Sequence, residues 1–343
     1  MKDFLTPRER FGMLVIDEKP DRCPVIPLIT SHAATVAGIK LKRYYTNGEK
    51  MARAQIIAFE LYQHDAISIF SEVGIIAEAM GSEFYYPDND LPVLKTPALK
   101  NGLNERLVMP DPKKTGRLPV YLEAIKYVYK SIGDIIPILA YVPAPFTTGM
   151  HLMDPTKFLI DTLKNADRIK EILDFVLEAT IRFCYEIINA GALPIIVDPL
   201  ASGSVISPAI YKDFALVYEK KLVSYLHRYD FDIILHICGD TTPILENLLL
   251  TDADLISLDR VNMLRAMERL SNKMRLIGNF NTSELIFLNS EEISKNVEMM
   301  VEQLKFARKG YIASTGCEVP IKAPKENVLA FVKSAKEKGW YWE

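Results

Sequence analysis

Apolar residues in this chain fall into two kinds of pattern that alternate along its length. Short, largely apolar runs occupy 23–29, 66–70, 136–142, 193–197, 233–237, 255–259, 274–279 and 311–314. Between them the apolar positions recur every three or four residues, as on one face of a helix. A strand that is apolar along its whole length is buried on both faces, the signature of a parallel sheet covered by helices. The eight runs, each followed by helical spacing, predict a closed (β/α)8 TIM barrel. A doubly wound open sheet also alternates, but no Gly-x-Gly-x-x-Gly follows any strand. The helices predicted from spacing and end signals cover 7–17, 47–64, 120–131, 167–190 with Asp167 as cap, 208–228, a stretch after Thr242, 264–270, a stretch capped by Ser290, and 324–338. Thr6, Pro7 and Glu9 form the best start signal: a capping residue, a proline at the first helical position and the partner of a capping box.

The barrel is expected to be one domain over 1–343. It has a short helical lead-in (1–22) and an irregular excursion (81–117), rich in Pro, Asn, Asp and Lys, with room for one hairpin. The excursion is a candidate for part of a docking rim, or for a cover over the barrel's bottom or side.

In such barrels the active site lies at the C-terminal ends of the strands. The polar residues at those ends are His32, Glu72, Asp198, His236, Cys238, Asp259, Asn279 and Cys317. His236 and Cys238 form a His-x-Cys pair, and 78 residues separate Cys238 from Cys317. One imidazole and two thiols favour zinc, and three protein ligands leave a fourth position for water or substrate. The spacing is unlike the short paired ligands of zinc ribbons and fingers. The competing account is that the cysteines are packing residues, as free cysteines often are.

Composition narrows the function classes. The chain has 343 residues, 49% of them hydrophobic, and a formal net charge of −3. It lacks the concentrated basic face of a nucleic-acid binder, no apolar run is long enough to span a bilayer, and the N-terminus, starting Met1-Lys2-Asp3, is not built like a signal peptide. A cytoplasmic address is expected. Four scattered cysteines do not make a disulfide framework; Cys23 and Cys184 read as packing.

His236-Ile237-Cys238-Gly239-Asp240-Thr241-Thr242 and Gly316-Cys317-Glu318-Val319-Pro320 resemble the uroporphyrinogen decarboxylase superfamily, and most closely its zinc-dependent methylcobamide:coenzyme M methyltransferase branch. The similarity includes Asp198-Pro199-Leu200-Ala201-Ser202-Gly203, Ile206-Ser207-Pro208, Gly278-Asn279 and the Pro-x-x-Asn of Pro324 and Asn327. It implies a (β/α)8 barrel with His236, Cys238 and Cys317 as zinc ligands. The decarboxylase's paired arginines after the first strand are absent from Ile29-Thr30-Ser31-His32-Ala33-Ala34-Thr35. Its aspartate after the second strand corresponds to Glu72, and its tyrosine after the third falls on His151. These departures point away from decarboxylation.

The implied reaction moves a methyl group from a methylated corrinoid to a zinc-bound thiol such as coenzyme M, the corrinoid being carried by a small partner protein. Glu72 and Asp198 are candidates for the fourth ligand or for orienting His236. His32, His151, Ser202, Gly203, Asp259 and Asn279 are candidates for lining the substrate and corrinoid side. Two other readings stay open: an enzyme that demethylates a methoxy or methylamine compound to load the corrinoid protein, or transfers to a folate; and a metal-free lyase or binding barrel.

Overall fold

The computed structural model describes residues 3–103 and 105–341. Met1 and Lys2, Asn104 within the excursion, and the last two residues lie outside the described residues.

The leading helix, Pro7–Val15, starts as its sequence dictates. The Thr6 hydroxyl accepts from Glu9 N at 3.2 Å, and the Glu9 carboxylate accepts from Thr6 N at 2.8 Å. The strands, in chain order, are β1 (Ile67–Ile69), β2 (Glu83–Tyr85), β3 (Val93–Thr96), β4 (Ile138–Pro143), β5 (Leu193–Val197), β6 (Ile234–Asp240), β7 (Leu255–Arg260), β8 (Arg275–Phe280) and β9 (Tyr311–Thr315). β2 and β3 pair antiparallel as a hairpin inside the 81–117 excursion. The other seven form one parallel, curled sheet in the order β1-β4-β5-β6-β7-β8-β9.

Residues 23–29, expected as a first strand, do not form one. Pro24 and Pro27 offer no backbone N–H, and a regular ladder cannot run through them. The segment is nevertheless extended between the sheet's two edges. Val25 and Leu28 make single parallel bridges to Ala313 and Glu318. Ile26 N donates to Ala313 O and Ala313 N to Pro24 O, both at 2.9 Å, while Asp65 N donates to Val25 O at 2.8 Å.

Each strand of the seven-stranded sheet buries both faces along most of its length. On the inner face Ile26, Leu28, Leu139, Tyr141, Ile195, Val197, Ile234, Ile277 and Ile312 pack together. The outer faces pack against helices, among them Gly48–Tyr62, Leu118–Ile132, Ala166–Ala190, Ser290–Leu304 and Lys325–Lys338.

Several element ends differ from expectation for local reasons. Asn289, not Ser290, caps its helix; its side chain accepts from Glu291 N and Glu292 N, and Glu292 returns the capping box. The helix beginning at Ala166 has no side-chain cap, so Asp167 lies within its first turn. After Thr242, where Pro243 follows at once, the chain makes only 3-10 turns, Thr242–Ile244 and Asn247–Thr251. Among the described residues no helix is long and apolar enough to cross a membrane.

Candidate metal centre

The register of the sheet builds this site. His236 lies opposite Val197 of β5 on one side and Ser257 of β7 on the other. Laterally paired residues in a sheet project to the same face, and the His236 Nδ1 and Ser257 Oγ stand 2.9 Å apart. Cys238, two residues further along β6, projects to that face as well. There β6 breaks from ladder regularity between Ile237 and Asp240. Gly239 sits in the break at φ 76°, and its N donates to Asp259 Oδ2 at 2.9 Å. A side chain there would be strained and would meet the Ser204 Oγ 2.8 Å from its Cβ.

Cys317 arrives from the end of β9. Gly316 N donates to Phe280 O at 2.8 Å, and the Thr315 hydroxyl donates to Cys317 O at 2.7 Å while accepting from Leu28 N at 3.0 Å. Strand ends far apart in sequence thus bring His236, Cys238 and Cys317 together, with ligand atoms within 4.8 Å of one another. The neighbouring Cys238 thiol first, then His236, hold Cys317 down at about 5 against the opposing effect of burial. The Cys317 sulfur and burial push Cys238 well above the usual thiol range. Two cysteine sulfurs and an imidazole nitrogen form a donor set that suits zinc.

Beside the cluster lies a cavity of about 50 Å³, lined by Leu28, Thr30, Phe70, Val73, Tyr141, Val197 and Pro199 together with His236, Cys238, Cys317 and Glu318. Glu318 follows Cys317 directly and accepts a short hydrogen bond from the Thr30 hydroxyl. Burial first, then the negative charge of Cys317, raises its carboxyl to about 7. The sequence reading gave Glu318 no role. The signal was its place next to a ligand in Gly-Cys-Glu-Val-Pro, but only the folded chain shows that it faces the cavity.

The other candidates sort by their partners. Glu72 is held by Arg117 at 2.6 Å and by the Ser71 hydroxyl at 2.5 Å. Asp198 accepts from Thr147 N at 2.9 Å and Thr147 Oγ1 at 2.5 Å. Neither orients His236, contrary to expectation: Ser257 occupies its second nitrogen, because β7 and not the β1 or β5 strand end places a polar side chain there. Asp259 holds the Gly239 backbone and lies 3.7 Å from the Cys238 sulfur. Asn279 Nδ2 donates to Asp259 O and Val261 O, so it braces β7 against β8.

His32 does not line the cavity. It is buried, with Nε2 2.8 Å from the Tyr62 hydroxyl and Nδ1 3.1 Å from Pro320 O, and burial lowers its pKa to about 4. The Nδ1 of His151 is 2.8 Å from Thr147 O, and its ring lies near Phe84. The backbone approach allowed by Gly203 is to the chain itself: a Cβ there would meet Asp240 O and Pro243 at 2.8 Å. Ser202 is buried, and its hydroxyl accepts from Ser204 N at 3.3 Å.

A family model for uroporphyrinogen decarboxylase (URO-D) matches residues 6–338. The chain belongs to that family. Within it, the chain is 26% identical over 335 residues to a methylcobamide:CoM methyltransferase, MtaA, of Methanosarcina barkeri (strain Fusaro / DSM 804), covering 95% of this chain and 96% of that one. It is 26% identical over 337 residues to a methylcobamide:CoM methyltransferase, MtbA, of Methanosarcina mazei, covering 96% and 98%. Among solved structures, a methyltransferase from Methanosarcina mazei superposes with a TM-score of 0.88 at 25% identity, covering 97% of this chain and 99% of the other. This URO-D family chain therefore matches, over nearly its whole length, relatives whose names state methyl transfer.

Proposed function

We propose that this protein is a zinc-dependent methyltransferase that moves a methyl group from a methylcobamide, carried by a small corrinoid protein, to a small thiol. Coenzyme M is the acceptor in the names of the relatives. The observation that carries the reading is the convergence of His236, Cys238 and Cys317 from two distant strand ends beside one small cavity. We further read the sheet as a (β/α)8 barrel in a single domain, with residues 24–28 as the eighth, proline-interrupted stave. Two free thiols as ligands suit a reducing compartment such as the cytoplasm.

When bound, zinc would supply a Lewis acid that favours the thiolate form of the incoming substrate. The chain's residues do the rest. Ser257 fixes the His236 ring, and the tautomer with hydrogen on Nδ1 leaves the Nε2 lone pair for the ion. Asp259 holds the β6 break so that the Cys238 sulfur faces Cys317. Leu28, Phe70, Tyr141 and Val197 exclude water from the reacting sulfur. Glu318, on the cavity wall, is placed to accept the thiol proton. The sulfur forms a bond to the methyl carbon, and the carbon–cobalt bond breaks with its electron pair left on cobalt.

The test is elemental analysis of protein purified without added metal, beside His236→Ala and Cys317→Ala. We expect about one zinc per chain in the parent, loss in both variants, and thiol-dependent demethylation of free methylcobalamin by the parent alone. A folded parent that neither contains nor takes up zinc overturns the proposal.

A further inference from the structure

The relatives' names carry an anionic thiol, yet the charges around this cavity are arranged against an anion. We infer that the cavity takes a short uncharged thiol, or its S-methyl counterpart, and not a thiol with a sulfonate or carboxylate tail. This rests on the methyl-transfer reading above and names its substrate class.

Among the described residues lining the cavity there is no Lys or Arg; the walls are Leu28, Phe70, Val73, Tyr141, Val197 and Pro199, and the acidic side chain outside the metal cluster is a carboxylate, Glu318. Arg117, at the end of the excursion, is already matched. It is almost wholly buried, pairs with Glu72 at 2.6 Å and with Glu78 at 2.9 Å, and lies 4.2 Å from the Tyr86 ring centre. Two carboxylates against one guanidinium leave no net positive charge for a ligand. To bind an anionic tail, Arg117 would have to release Glu72 into a partly buried site.

The neighbouring histidines supply no charge either. His32 has both ring nitrogens engaged and is neutral at pH 7. His151 is shifted the same way by burial, and neither lines the cavity. Arg260, at the end of β7, is exposed and also lies outside the lining.

The composition of the walls then decides. An anionic tail would add one negative charge with no cation to meet it, in a pocket whose walls are mostly apolar. The space is small, about 50 Å³, which favours a short substrate.

The experiment is calorimetric titration of the zinc-loaded protein with 2-mercaptoethanol and with 2-mercaptoethanesulfonate, which share a two-carbon thiol and differ in the charge of the tail. We expect the neutral thiol to bind about tenfold or more tightly. Equal or tighter binding of the sulfonate overturns the inference and leaves methyl transfer standing. Failure of both thiols to bind protein that holds zinc overturns the inference and the methyl-transfer reading together.

Discussion

Asp198 and Glu219 interact directly in the core, each with one carboxylate oxygen that has no hydrogen-bond donor. Both residues are fully buried. The other oxygen of Asp198 is taken by Thr147, and the other oxygen of Glu219 accepts from the Tyr211 hydroxyl at 2.7 Å. Two carboxylates so placed cannot both ionise without large cost, and one shared proton satisfies both orphan oxygens. The pair ties the end of β5, next to His236, to the helix Leu216–Leu226.

A pH dependence follows from this pair. Burial raises Asp198 from 3.8 to about 6, and raises Glu219 further above its ordinary value. Folding therefore binds a proton that the unfolded chain releases. The pair's contribution is complete below about pH 4 and is lost as pH rises through about 6 and beyond. Glu219→Gln replaces the shared proton with an amide donor that does not titrate. Urea unfolding of the parent relative to this variant should show the parent losing about 2–3 kcal/mol between pH 4 and pH 8. A difference between the two proteins that is flat across that range would contradict the shared proton.

Ser257 is expected to matter to the metal without touching it. It holds His236 Nδ1 at 2.9 Å and so fixes which nitrogen faces the ion. Ser257→Ala should weaken zinc binding by about 10–100-fold, measured by competition with a chromophoric chelator, while stability in the zinc-free state falls by no more than about 1–2 kcal/mol. Unchanged zinc affinity would mean that packing alone orients the ring.

How much of this was legible in the sequence depends on the range of the interaction that decides it. The seven sheet strands, the Thr6 cap and the His236-x-Cys238 pair are written in local pattern, because burial on both faces and soft ligands at a strand end need no knowledge of neighbours. The partner of His236 is set by the register between β6 and β7, which brings Ser257 alongside from 21 positions away. The partner of Glu72 lies 45 positions on, at the end of the excursion, and turns an apparent mouth carboxylate into half of a buried ion pair. The first strand was misread because its apolar residues suit a strand while Pro24 and Pro27 cannot supply a ladder.

At the end of the sheet opposite the metal centre, Asp65 joins two buried arginines to the bridging segment. Arg10 Nη1 donates to it at 2.8 Å and Arg22 Nη1 at 2.6 Å, and it accepts from Val25 N at 2.7 Å. Both guanidiniums have no exposed surface. Asp21 still serves Arg10, and Asp3 still serves Arg22, but neither reaches Val25. Asp65→Ala leaves two buried cations short of a partner and frees the segment that connects β9 to the start of β1. We expect a loss of about 3–5 kcal/mol in urea unfolding, with zinc stoichiometry unchanged in the protein that remains folded, since Asp65 lies at the end of the sheet away from His236, Cys238 and Cys317. Loss of zinc at full stability would reverse that assignment and make Asp65 part of the site's support.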